Sequence, residues 1–141
     1  MAKAIDSWMR LWPDLLTDVP RAAASIAGYP KRIPRCRTRL TTSSPVNHGG
    51  KTAATNTCIA CFACNNHKGP NIAGIDNVTG KLVRLFNPRR HKWAAHFRWE
   101  GPMLVGKTPI GRATVAVLAI NLAHRVALRK ALMDERLFPT D

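Results

Sequence analysis

The chain has 141 residues, room for one ordinary domain and not for two large ones. Hydrophobic residues make up 45 %, so a core is possible, but no apolar run approaches the ~18 residues that cross a bilayer. Lys and Arg number 22 against 8 Asp and Glu, a formal net charge of +14 that favours a polyanionic partner over a merely basic surface. No basic amphipathic helix stands out, which argues against a membrane surface. The first residues lack the charged, apolar and small-residue progression of a secretory signal, so the expectation is a cytoplasmic chain.

Along the chain, Trp8, Leu11 and Trp12 can share a helix face, but Pro13 and Pro20 bracket them. Residues 30–47 combine Pro30, Pro34 and Pro45 with a basic run and the string Thr41-Thr42-Ser43-Ser44. That composition predicts an irregular segment. Character changes near residue 48, where His48-Gly49-Gly50 reads as a turn. A short strand is predicted over 57–60, then a knuckle at Cys61-x-x-Cys64 opening a short helix, then a turn over 76–80 between extended pieces. Pro88 can start a helical turn through Trp93. Residues 96–100 and 103–107 can pair around Gly101-Pro102. Thr108-Pro109 supplies a capping hydroxyl and a proline at the first helical position, predicting a helix to about Ala119. Asn121 can cap a second helix to about Met133, with Leu122, Val126 and Arg129 on one face. Trp93, Phe97, Trp99 and Leu104 are the expected core.

Cys58, Cys61 and Cys64 lie within seven residues, too close for a disulfide framework, and Cys36 stands apart. In a cytosolic chain such packing reads as metal ligation or a redox pair. Cys61 and Cys64 can hold one side of a tetrahedral ion, though a pair of buried thiols is an equal alternative. His67 can coordinate a divalent ion through neutral imidazole, or simply sit in a polar turn. Asn56 suits a turn or a cap. Arg89, Arg90, His91 and Lys92 beside Trp93 can grip phosphate or form a solvated face.

Taken together, His48-Gly49-Gly50-Lys51-Thr52, Asn56, and Cys61-x-x-Cys64-Asn65-x-His67-Lys68-Gly69 resemble the second half of an HNH endonuclease motif. The segments 70–76, 85–90, 96–99 and 108–114, together with Trp93, resemble one bacterial subgroup of that family. The resemblance covers residues 48–141. It implies an α+β chain with a ββα-metal (His-Me finger) HNH fold, here incomplete, followed by two C-terminal helices. It implies cleavage of DNA phosphodiester bonds with a divalent metal, Mg or Mn or Zn, that polarises the phosphate. Asn56 then matches the loop-orienting asparagine and His67 the last metal-binding histidine. Cys61 and Cys64 match the second half of a structural zinc site. Lys68, Arg89, Arg90 and Lys92 are the residues expected to meet DNA.

The first half of the motif is missing. No Asp-His pair precedes His48 and no Cys-x-x-Cys precedes Cys58. The general base, a metal carboxylate and half the zinc ligands are therefore absent. Back-translation offers a cause. Residues 40–47 can be encoded so that a one-base shift reads Asp-His-Ile-Ile-Ala-Arg-Gln, ending where His48 resumes the family pattern. The same shift over residues 22–31 reads Arg-Cys-Glu-Tyr-Cys-Arg-Leu-Pro-Gln, which contains the missing Cys-x-x-Cys. Residues 1–47 are thus read as an out-of-frame, irregular segment, and 48–141 as the HNH-like domain with impaired cleavage. The alternatives are a divergent N-terminus with its own role, a non-catalytic basic nucleic-acid binder, and a zinc-knuckle interaction module.

Overall fold

A computed structural model describes residues 38–136; Trp8, Leu11, Trp12 and Cys36 lie outside them. The described chain runs β1 (Thr38–Thr42), β2 (Thr57–Cys61), α1 (Phe62–Lys68), β3 (Ala73–Ile75), β4 (Leu82–Arg84), α2 (Trp93–His96), β5 (Phe97–Glu100), β6 (Met103–Gly106), α3 (Pro109–Val117) and α4 (Ala123–Asp134). It is mixed α and β, with consecutive strands paired antiparallel in three separate two-stranded sheets.

Local chemistry explains most of these elements. Thr108 caps α3, its Oγ accepting from the Gly111 N–H at 3.2 Å, with Pro109 next, where a missing N–H costs nothing. Gly80 and Gly101, both at positive φ, allow the β3–β4 and β5–β6 reversals.

Three expectations need correction. Thr38–Thr42 is a strand, within the segment expected to be irregular: its β-branched threonines suit a pleated ribbon, and backbone pairing with β2 asks nothing more of the side chains. The turn that opens at Pro88 is a single one and does not run through to Trp93. Asn87 closes the chain there as a turn, its side chain accepting from Arg89 N–H and its carbonyl from Arg90 and His91 N–H, and α2 starts at Trp93. Asn121 does not cap α4, whose N-cap is Leu122. Its amide instead mimics a strand partner for β6, accepting from Leu104 N–H at 3.1 Å and donating to Leu104 O at 2.8 Å.

A two-stranded ribbon is marginal alone in water, and α3 is what β3, β4 and β6 share. Its buried face carries Gly111, Ala113 and Thr114. Added side-chain carbon at Gly111 would strike the His96 carbonyl, and at Gly106 the backbone of Gly111 and Arg112, so helix and strand meet backbone to backbone. The buried Thr114 hydroxyl donates to Ile110 O and accepts from Phe86 N–H, tying the chain after β4 to the helix. Phe86 meets Phe97 edge-on at 5.0 Å, and Trp93 lies 4.2 Å from Phe97. Phe97 and Leu104 are buried as expected, while Trp93 and Trp99 are half-buried. Arg129 of α4 lies 5.5 Å over the Trp99 ring and donates to Pro102 O, which seats the last helix on the β5–β6 hairpin.

A further tie is an ion pair. Asp76, fully buried at the end of β3, takes a two-pronged contact from Arg112 of α3, Nε to Oδ1 at 2.7 Å and Nη2 to Oδ2 at 2.9 Å. Its carboxylate also accepts from the Thr79 hydroxyl and amide and from the Val78 amide. The Arg112 guanidinium holds the Asp76 carboxyl well below the usual carboxylate range, with burial opposing and the Thr79 and Val78 bonds assisting. A carboxyl depressed in the fold stabilises fully above its unfolded value of ~4, and that contribution is lost as pH falls toward the folded value. The thermal midpoint should therefore drop as pH is lowered below ~4. Asp76→Asn should lower it at neutral pH by more than ~5 °C, because Arg112 loses its partner, and should flatten the acid limb. Circular-dichroism melts across pH check both; an unchanged acid limb in Asp76→Asn would show that another group controls it.

Candidate functional site

The residues singled out above cluster on the β1–β2 ribbon and the helix that follows it. Thr42 pairs with Thr57 at the open end and Thr38 with Cys61 at the end that leads into α1. Between the strands, residues 43–56 double back through two short 3-10 turns, Val46–His48 and Ala54–Asn56. His48 ends the first and is exposed, and Gly49 follows at φ 74°.

Asn56 holds this loop shut. Its Oδ1 accepts from Ser44 N–H at 2.9 Å, and its Nδ2 donates to Ser44 O at 2.7 Å and to Lys51 O at 2.9 Å. Its own carbonyl accepts from Ser43 N–H at 2.8 Å, extending the ladder past β1. One side chain thus satisfies three backbone groups from both arms of the loop. Gly50 is required beside it, since a side chain there would collide with the Ser44 carbonyl. The Thr57 hydroxyl donates to Ala53 O at 2.7 Å and fixes the entry to β2.

Cys61 is the N-cap of α1, its Sγ accepting from the Cys64 N–H at 3.3 Å. Both thiols are half-buried, and the Cys64 thiol is pushed up by its hydrogen bond with Cys61 and by burial. Arg125 of α4 points a guanidinium nitrogen at the Cys64 Sγ from 3.9 Å. Cys58 is buried, and burial raises its thiol. Among the described residues, no three His, Cys, Asp or Glu side chains gather in a group able to hold a metal ion. Cys61 and Cys64 are two ligands where a closed zinc site takes four.

His67 and Lys68 form the last turn of α1, which Gly69 ends at φ 48°. His67 is exposed; the Lys68 ammonium is buried, and burial pushes its pKa down. Arg89 reaches back to β2, donating through Nε and Nη2 to Thr57 O at 3.1 and 2.8 Å, so it braces the ribbon. Arg90 and Lys92 are exposed. His91 accepts the Asn87 N–H on Nδ1 at 3.1 Å. The site residues fall into two sets: Asn56, Cys61, Cys64, His67 and Lys68 on one continuous ribbon and helix, and Arg89, Arg90 and Lys92 on a stretch some twenty residues later, of which Arg89 contacts the ribbon. Arg125 and Asn87 were not foreseen. Their contacts are long-range or backbone-directed, and spacing along the chain carries no signal of either.

Asn56→Ala should free the Ser44 and Lys51 carbonyls and the Ser44 amide, at a cost of about 2 kcal/mol. Chemical denaturation measures the loss, and hydrogen exchange should show the Ser44 amide losing protection. Retained protection would mean that the turns close the loop without the amide. Comparison with family models, curated proteins and solved structures finds no match to this chain.

Proposed function

We propose that the chain carries an HNH-type endonuclease scaffold, a ββα-metal finger directed at DNA phosphodiester bonds, with cleavage impaired because its first strand lacks the Asp-His element. The observation that carries this reading is the amide of Asn56 bridging the loop of an antiparallel ribbon that runs directly into a helix with His67 in its last turn. Ribbon, loop-closing asparagine and helix-borne histidine occur in the order the motif demands. The excess of cations supports a polyanionic substrate.

The residues present do not complete either ion site. His67 stands without a grouped second and third ligand among the described residues, and Cys61 and Cys64 supply half a zinc set. No cleavage step is therefore derived through a metal. What this chain's residues do is hold a loop and present an imidazole on the helix that follows it. The same charge favours a second reading, a basic protein that binds nucleic acid without cutting it.

The shifted reading ends at residue 47, which puts its Asp and His at positions 41 and 42. Thr41 pairs with Cys58, and Thr42 with Thr57 next to Asn56. The parent chain should nick supercoiled plasmid feebly with Mg²⁺ or Mn²⁺. The double substitution Thr41→Asp, Thr42→His should raise the rate by about 10²-fold or more, the contribution expected of a general base. Adding His67→Ala should remove the gain. A double variant that binds DNA and stays as inert as its parent would favour the non-cutting reading, and strong parental cutting that survives His67→Ala would overturn the site assignment.

A further inference from the structure

Lys68 presents a problem that the proposed cleavage centre does not solve. Its Nζ is buried and has no hydrogen-bond partner among the described residues. Burying an unpaired ammonium is costly, so such a group calls for an explanation. It forms part of a cleft of about 90 Å³ whose other polar walls include Ser43, Ser44, Arg84, Arg90 and His91. Among the described residues no acidic side chain lines this cleft, so its three cations share it with no counter-charge from those residues. Arg84 and Arg90 are exposed and can reach a ligand from the rim, whereas Lys68 is covered and acts as fixed positive charge in the wall. His91 accepts the Asn87 N–H on Nδ1, which assigns the proton of the neutral ring to Nε2 and leaves it a donor. The volume is several times the ~10–15 Å³ that admits one water, so a tetrahedral oxyanion fits. Three cations, two of them guanidinium forks, suit a multiply charged oxyanion better than a single carboxylate.

We propose that this cleft binds one phosphate group, carried by a nucleic-acid strand or by a small phosphorylated compound. In its strand form the proposal rests on the reading of the chain as a protein that acts on DNA. Ser44 links the two: its side of the loop lines the cleft while its backbone is held by Asn56. A phosphate seated there would register a strand against the loop that the motif uses.

The test uses the full chain, with Arg90→Gln and Lys68→Met as cleft variants and Lys130→Gln, an exposed lysine of α4, as a charge-matched control. The first arm measures the thermal midpoint in inorganic phosphate against chloride at equal ionic strength. Phosphate should raise the midpoint of the parent and of Lys130→Gln and leave both cleft variants unmoved. Lys68→Met should also melt higher than the parent in chloride, because it removes a buried charge that has no hydrogen-bond partner among the described residues. The second arm measures duplex binding by fluorescence anisotropy across salt concentrations. If the phosphate belongs to a strand, Arg90→Gln should weaken binding and reduce the slope of log affinity against log salt by about one, and Lys130→Gln should not. A phosphate effect without duplex binding assigns the cleft to small phosphorylated compounds and sinks only the DNA reading. Duplex binding without any phosphate effect in the first arm, or a phosphate effect that survives in Arg90→Gln, overturns the cleft.

Discussion

The described fold depends on one buried anion and the helix that answers it. Three two-stranded ribbons have little reason to persist separately, and none hydrogen-bonds to another as a sheet. Asp76 and Arg112 convert two of them into a unit by locking the turn of the β3–β4 hairpin to a helix that also lies on β6. The pair works because it is saturated. Arg112 offers two parallel donors, and the hairpin turn contributes the Thr79 hydroxyl and two amides to the same carboxylate. A buried pair of this kind adds less to net stability than its short distances suggest, because both ions give up water. Its larger effect is on geometry, since alternative seatings of α3 would strand a charge.

The β1–β2 ribbon and α1 follow a different logic. Here hydrogen bonds to backbone do the organising, neutral ones through Asn56 across the loop, Thr57 at the strand entry and Cys61 at the helix cap, and a charged one from Arg89 to the Thr57 carbonyl. Among the side chains described in this half, Cys58 is buried in the ribbon and the helix has none. Its loop and helix cap are held by polar contacts. Such a region opens more readily than a packed core, which is where a binding loop is normally found.

Much of the element order was legible because its signals are local. A hydroxyl followed by proline announces α3, Cys-x-x-Cys announces a helix cap, and glycine-bearing turns announce two hairpins. From Asn56 to His67 the candidate residues are close in sequence, and the chain carries them on one ribbon and helix. Recognition failed where a side chain serves a distant partner. Asn121 looks like a cap in sequence and is a surrogate strand edge for Leu104, seventeen residues away. Arg89 looks like one of a string of solvated cations and is a brace for Thr57. Asp76 and Arg112 are thirty-six residues apart, and nothing local marks them as a pair. The threonines of β1 were read as loop because their neighbours are serine and proline, whereas the β2 edge decides their conformation.

The bare contact between Gly106 and the start of α3 joins strand end, helix and ion pair into one lever. The atoms that press closest to Gly106 are the backbone of Gly111 and Arg112 itself. A single methyl at that spot would not merely crowd a turn: it would tip the fulcrum on which the guanidinium rests and withdraw the fork from its carboxylate. The absence of a side chain at Gly106 thus sets the reach of Arg112, and a steric change at the surface of one hairpin would be transmitted to the sealed charge inside another.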